Sequence, residues 1–253
     1  MLYRLTTVRV VIPHNQPLTA LHDLPQTSGE TVALCRDEAF VDEPIEEILV
    51  KSKQRVSDHG EVFTPSWMVE DMLDLVKSES ERIDSRFMEP ACGSGNFLKA
   101  VLKRKLQTVS ARYRKSEFER RHYALLSLMS IYGIELLEDN IEECRRNLLS
   151  IYADFLGLEV DEVWLVAGRR VLQDNILQGD ALTLLKTDGS PIEFPEWGYL
   201  GTGKFQRRNF RFEDLTQRGN FSGGGGMWDQ IENPAYVPTK KTYAPMTVEE
   251  IAK

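Results

Sequence analysis

Between Phe63 and Asp180 the chain alternates two patterns: short apolar runs that end on an acid, and longer stretches in which apolar residues recur every three or four positions. The first pattern is that of a strand buried in a parallel sheet, the second that of a helix lying on it. Thr64-Pro65 reads as a helix start, with a hydroxyl N-cap and a proline at the first helical position, where a missing N–H costs nothing. Met68, Met72, Leu75 and Val76 follow at helical spacing. Residues 86–90 form a short strand, residues 92–95 a glycine turn, and residues 96 to about 107 a helix. A second helix around 116–129 leads to a strand at 130–135, then an amphipathic helix from 138 to about 152. A third strand, 175–179, ends at Asp180. This βαβαβ order predicts an α/β fold, a doubly wound and mostly parallel sheet with helices on both faces.

The flanks read differently. Residues 3–12 carry β-branched residues in near alternation and stop at Pro13, which marks a strand, and residues 44–53 place Ile45, Ile48 and Leu49 on one face of a short helix. Beyond Leu185 the pattern dissolves into proline, glycine and aromatic residues, with four glycines at 223–226. The expected organisation is an N-terminal arm (1–57), a central ligand-binding domain (58–190) and an irregular C-terminal extension (191–253).

Composition narrows the class. With 42% hydrophobic and 28% charged residues the chain is that of an ordinary globular protein. No apolar run approaches the roughly 18 to 20 residues that cross a bilayer, and residues 1–13 lack the apolar core of a signal peptide. A cytoplasmic protein with no membrane partner is expected. Cys35, Cys92 and Cys144 are too few for a disulfide framework or a four-cysteine zinc site, and His59 and His122 stand alone, so no metal site is expected. The net charge of -8 argues against a protein that coats nucleic acid over its whole surface. Locally the balance reverses: residues 99–121 hold nine basic residues against Glu117 and Glu119. Arg112, Arg114 and Lys115 there, and Arg207 and Arg208 further on, are candidates for binding DNA phosphates.

The chemistry concentrates at strand ends. Glu89-Pro90-Ala91-Cys92-Gly93-Ser94-Gly95-Asn96 joins a strand to a helix, where glycines let the backbone approach a ligand and the helix start offers free N–H groups. Glu135 ends the next strand, where an acid can accept two hydrogen bonds from ribose hydroxyls. It lies 42 residues beyond Gly93, against about 20 in a dinucleotide fingerprint, which argues against NAD. Asp180, in Gly179-Asp180-Ala181-Leu182, ends the third strand at the same edge and could accept from an adenine amino group. Gly60-Glu61-Val62-Phe63-Thr64-Pro65 precedes a helix that could turn its positive end toward the same crevice.

Phe63-Thr64-Pro65, the run Glu89 to Leu98, Gly133-Ile134-Glu135 and Gly179-Asp180-Ala181-Leu182 resemble, in order, motifs X, I, II and III of the amino-directed DNA methyltransferases of restriction-modification systems. The similarity covers residues 58 to 185 and is greatest to the modification subunits of type I systems. It implies a class I methyltransferase-like fold with S-adenosylmethionine across the ends of the three strands. Phe63 and Thr64 would sit by the methionine carboxylate, and Glu89, Ala91, Gly93, Gly95 and Asn96 around the methionine part. Glu135 would hold the ribose, and Asp180 and Ala181 the adenine. The family's transfer block, Asn-Pro-Pro-Tyr or similar, has its best counterpart in Asn233-Pro234-Ala235-Tyr236, with Asn233 and Pro234 to hold the target amine and Tyr236 to stack on the flipped base. Ala235 departs from the pattern, Trp228 to Glu232 is polar for a central strand, and 17 residues after Tyr236 leave the C-terminal part of such a fold incomplete. The expected activity is adenine methylation in DNA, with a target-recognition or restriction partner chain. A non-catalytic cofactor-binding subunit and an RNA or protein amide methyltransferase are the alternatives.

Overall fold

The computed structural model describes residues 50–59, 61–213 and 241–253. Helix α1 (Lys53–His59) precedes α2 (Ser66–Asp74) and the single turn α3 (Lys77–Ser80). Then come β1 (Phe87–Glu89), α4 (Asn96–Tyr113), α5 (Glu117–Met129), β2 (Ile131–Glu135), α6 (Glu138–Leu156), α7 (Val163–Asn175) and β3 (Ile176–Asp180). The chain continues through β4 (Leu185–Lys186), β5 (Glu193–Gly201), β6 (Lys204–Arg211), β7 (Lys241–Thr242) and a last turn, α8 (Val248–Ile251).

The sheet order is β1-β2-β3-β4, with β1, β2 and β3 parallel and β4 antiparallel to β3. Side chains on β2 alternate between two layers. Ile131 faces the main core of α4 to α7, while Tyr132 and Ile134 pack with Ile192 and Phe194 on the other side. The described helices therefore do not cover both faces, as the doubly wound expectation required. A right-handed crossover puts its helix on a face set by the direction in which the strand order advances. Both crossovers, β1 to β2 and β2 to β3, advance the same way, so α4, α5, α6 and α7 share one face. Only strands added beyond β1 would place helices on the other, and among the described residues β1 has a single partner, β2.

The other layer is the β5–β6 hairpin, where an irregular extension was expected. It begins on the Tyr132 face and reaches the α5 and α7 side, where Trp197 Nε1 donates to Asn175 Oδ1 at 3.2 Å and Tyr199 and Phe205 surround His122. The strand period was hidden because both faces of the hairpin carry aromatics and Gly198, Gly201 and Gly203 interrupt it. Asn175 closes the joint by donating from Nδ2 to the carbonyls of Met129 and Ile131.

Other boundaries moved for local reasons. The helix expected over 44–53 is absent at its described end, Val50 to Ser52; α1 starts after Ser52, whose hydroxyl caps it by accepting from the Arg55 N–H at 3.2 Å. Helices α4 and α6 outrun their expected ends, α6 stopping where Gly157 takes a left-handed conformation (φ +65°). Helix α7 was not among the expected elements, although Leu165, Val171 and Leu172 recur on its buried face; Gly168 and Asn175 share that face. A Cβ on Gly168 would lie 2.9 Å from the Tyr152 ring, so the glycine is a packing residue. No helix among the described residues is long and apolar enough to cross a membrane.

Candidate functional site

Strand β1 ends on Glu89 and the chain reaches α4 through a turn whose two glycines are both left-handed, Gly93 at φ +51° and Gly95 at φ +87°. The Cys92 N–H bonds the Ile134 carbonyl at 3.0 Å, the Gly95 N–H bonds the Cys92 carbonyl at 2.8 Å, and Asn147 of α6 donates to the Ser94 carbonyl at 3.0 Å. Two thiols pack beneath this turn. A Cβ on Gly95 would stand 2.7 Å from Cys144 Sγ, and one on Gly133 would stand 2.8 Å from Cys92 Sγ. The turn is thus pressed against β2 and α6 with no room for a side chain.

The three strand-terminal acids gather at this edge. Register pairs Glu89 with Gly133 and Glu135 with Gln178, so Glu89, Glu135 and Asp180 step along the carboxyl ends of neighbouring strands. Glu135 Oε2 accepts from the Gly93 N–H at 2.8 Å and Oε1 from the Leu137 N–H at 3.0 Å. Each oxygen keeps a lone pair for a hydroxyl. Asp180 Oδ1 accepts from the Leu182 N–H at 2.8 Å. Glu89 is the exception: its Oε2 is buried and finds no hydrogen-bond partner among the described residues. Burial, with the neighbouring Glu135 charge, pushes the Glu89 carboxyl up to about 8. A cation at this spot would meet an Oε2 with no other partner among the described residues.

The segment before α2 closes over the turn. Phe63 Cε1 lies 3.1 Å from where a Cβ on Gly93 would be, and Asn96 Nδ2 donates to the Thr64 carbonyl at 3.4 Å. The Thr64 hydroxyl does not cap α2, as the sequence suggested. Pro65 occupies the N-cap position, with ψ 147° and no side-chain bond, so the proline sits one residue earlier than expected.

Sequence reasoning missed the residues that hold this segment down. Arg55 bonds Glu61 through Nε (2.5 Å) and Nη2 (2.8 Å), and Asp139 through Nη1 (2.8 Å) and Nη2 (3.1 Å). Asn140 Nδ2 donates to Glu61 Oε1 at 2.5 Å. The one signal was a polar stripe on α6, Asn140, Cys144 and Asn147 at steps of four and three, facing the glycine turn.

Other candidates lie elsewhere or are otherwise engaged. Ala91 is exposed beside the turn, and Ala181 packs toward Ile192. Arg112, Arg114 and Lys115 are exposed, but at the C-terminal end of α4, roughly 27 Å from the glycine turn at 1.5 Å per residue. Within the same basic run, Lys105 is buried and donates to the carbonyls of Arg82 and Ile83 and to Ser130 Oγ, while Arg104 pairs with Glu70 and Asp74. Arg207 is no free cation: it bonds Asp174 at 2.7 Å and Asn209 at 3.0 Å and lies between the Trp197 and Tyr243 rings. Arg208 is exposed. Asn233, Pro234 and Tyr236 fall outside the described residues.

The glycine turn between a parallel strand and a helix, with acids on the next two strand ends, lies at the carboxyl edge of the sheet, where open α/β sheets bind their ligands. Residues 41–153 match the family model described as N-6 DNA Methylase. The match holds Phe63, the glycine turn and Glu135 and ends inside α6, so Asp180 and the hairpin lie beyond it. Comparison with curated proteins and with solved structures returns no match.

Proposed function

We propose that this chain transfers a methyl group from S-adenosylmethionine to the exocyclic amino group of adenine in DNA, within a restriction-modification or related defence system and with a target-recognition or restriction partner chain. The observation that carries the reading is the buried, unpartnered Glu89 Oε2 beside the glycine turn. An ammonium arriving there restores the carboxylate and forms an ion pair in a low-dielectric site. The remaining donors and acceptors suit the rest of this cofactor. Glu135 would hold the ribose hydroxyls, Asp180 the adenine amino group, and Thr64 with the N–H groups opening α4 the methionine carboxylate. When bound, the cofactor supplies an electrophilic methyl on a sulfonium.

The protein's own task is positioning. Phe63 over Gly93 keeps water from the methionine end, and the Asn233 side chain and Pro234 carbonyl would orient the target amine while Tyr236 stacks on the base. Arg112, Arg114, Lys115 and Arg208 would bind phosphates away from the reacting base.

The test is transfer of labelled methyl from S-adenosylmethionine to unmethylated DNA by the parent, Asp180→Ala and Asn233→Ala. Methylated adenine from the parent, lost in both variants, is expected. Undiminished transfer by Asn233→Ala would remove the assigned transfer block. A parent that does not bind S-adenosylmethionine would overturn the reading.

A further inference from the structure

We propose that Arg55, Glu61 and Asn140 form a clasp that seats Phe63 on the glycine turn, making them positioning residues for the methionine half of the cofactor. The inference rests on the cofactor reading above.

The geometry is that of a two-sided lock. The Arg55 guanidinium is planar and offers its donors as a fork. It uses one edge on Glu61 and the other on Asp139, in the first turn of α6. Glu61 is the buried member, its side chain 8% exposed, against 25% for Arg55 and 54% for Asp139. Its Oε1 receives the Asn140 amide as well as Arg55 Nη2, and its Oε2 receives Arg55 Nε, so both carboxylate oxygens are held. These bonds to Arg55 and Asn140 keep the Glu61 carboxyl below its ordinary range. Lys51 repeats the arrangement one step away, bonding Asn140 Oδ1 at 2.7 Å and Glu143 at 2.6 Å and lying 5.8 Å from the Phe63 ring centre.

The bonds to Asp139, Asn140 and Glu143 cross between residues 51–61 and the first two turns of α6, and Phe63 follows Glu61 by two positions. The same helix presents Cys144 and Asn147 to the underside of the glycine turn. Helix α6 thus grips the turn from below through its second and third turns and Phe63 from above through its first. Only the upper grip is ionic and partly exposed, so it is the one that can open without disturbing the core.

Seating Phe63 at Gly93 concerns the methionine end of the site and leaves the adenine end, at Asp180, alone. The experiment compares S-adenosylmethionine with 5′-methylthioadenosine, which lacks the amino-acid part, by calorimetric titration of the full chain. The variants are Arg55→Met, Glu61→Gln and the pair together. S-adenosylmethionine binding should weaken about tenfold in each single variant and little further in the double, since residues of one lock do not add, while 5′-methylthioadenosine binding stays unchanged. Arg55→Lys, which cannot hold two carboxylates with one planar fork, should restore affinity only in part. Arg121→Met, which breaks a comparable pair with Glu117 and Glu162 on the α5 side, should have no effect on either ligand. If the parent binds S-adenosylmethionine and the variants bind it equally well, the clasp is overturned and the cofactor reading stands. Equal loss of both ligands would overturn it too, by showing a general loss of structure. A parent that binds neither ligand overturns both.

Discussion

On the proposed cofactor reading, Glu89 sets function against stability in a single side chain. Its proton is held in the folded chain up to about pH 8, while an unfolded glutamate releases it near pH 4.3. Below that lower value both states are protonated and the residue is neutral to folding. Between the two, only the folded chain holds the proton, so stability falls as pH rises, and the cost is complete above pH 8. Glu89→Gln should therefore raise the melting temperature of the cofactor-free chain by a few degrees at pH 9 and hardly at all at pH 5. The same variant should bind S-adenosylmethionine at least about tenfold more weakly. Equal melting curves at both pH values would show that Glu89 is already paired. Because binding restores the carboxylate, association at pH 7 should also release a proton, which calorimetry in two buffers of different ionisation enthalpy would detect. Gly95 is the complementary case: with φ +87° and Cys144 Sγ in the space of a side chain, Gly95→Ala should abolish cofactor binding, and retained affinity would contradict the packing of the turn.

At the scale of elements, α4 is fastened to the sheet at two points by different chemistry. Its start carries the glycine turn; its middle carries Lys105, buried under the approach to β1, where the carbonyls of Arg82, Ile83 and Ser85 and the Ser130 hydroxyl oxygen accept its hydrogen bonds. Burial pushes the Lys105 ammonium down to about 7. Lys105→Met keeps the aliphatic stem but takes away the donor that these buried acceptors share, and should cost about 2–4 kcal/mol in urea unfolding with the denaturant slope unchanged. A loss under about 0.5 kcal/mol would show that water replaces the ammonium. The periodicity of α4 and α6 was legible because their buried faces are largely apolar. The hairpin was not, because the two-sided aromatics of β5 and β6 only make sense against His122 on α5, and Gly168 of α7 only against Tyr152 on α6.

Over the whole molecule the charge is uneven, and the two basic clusters separate. Arg207 is spent on Asp174 and two aromatic rings, while Arg112, Arg114 and Lys115 stand exposed at the far end of α4. Reversing these three charges should weaken DNA binding and make its salt dependence shallower, by about 0.9 in the logarithmic slope for each phosphate no longer neutralised, with S-adenosylmethionine affinity untouched. An unchanged salt slope would take them out of the interface.

The linear order of residues was sufficient for the strand ends and what they carry. A strand that stops on an acid, and a glycine pair before a helix, are local patterns, and they placed Glu89, Gly93, Gly95, Glu135 and Asp180 at one edge. Tertiary structure decided everything that depends on two distant segments meeting. It put the described helices on one face, because both crossovers advance in the same direction. It spent Lys105 and Arg207 on buried partners. It also brought Arg55 to Asp139, 84 positions along the chain, and Glu61 to Asn140, 79 positions along, a meeting with no local trace because ion pairs follow no period.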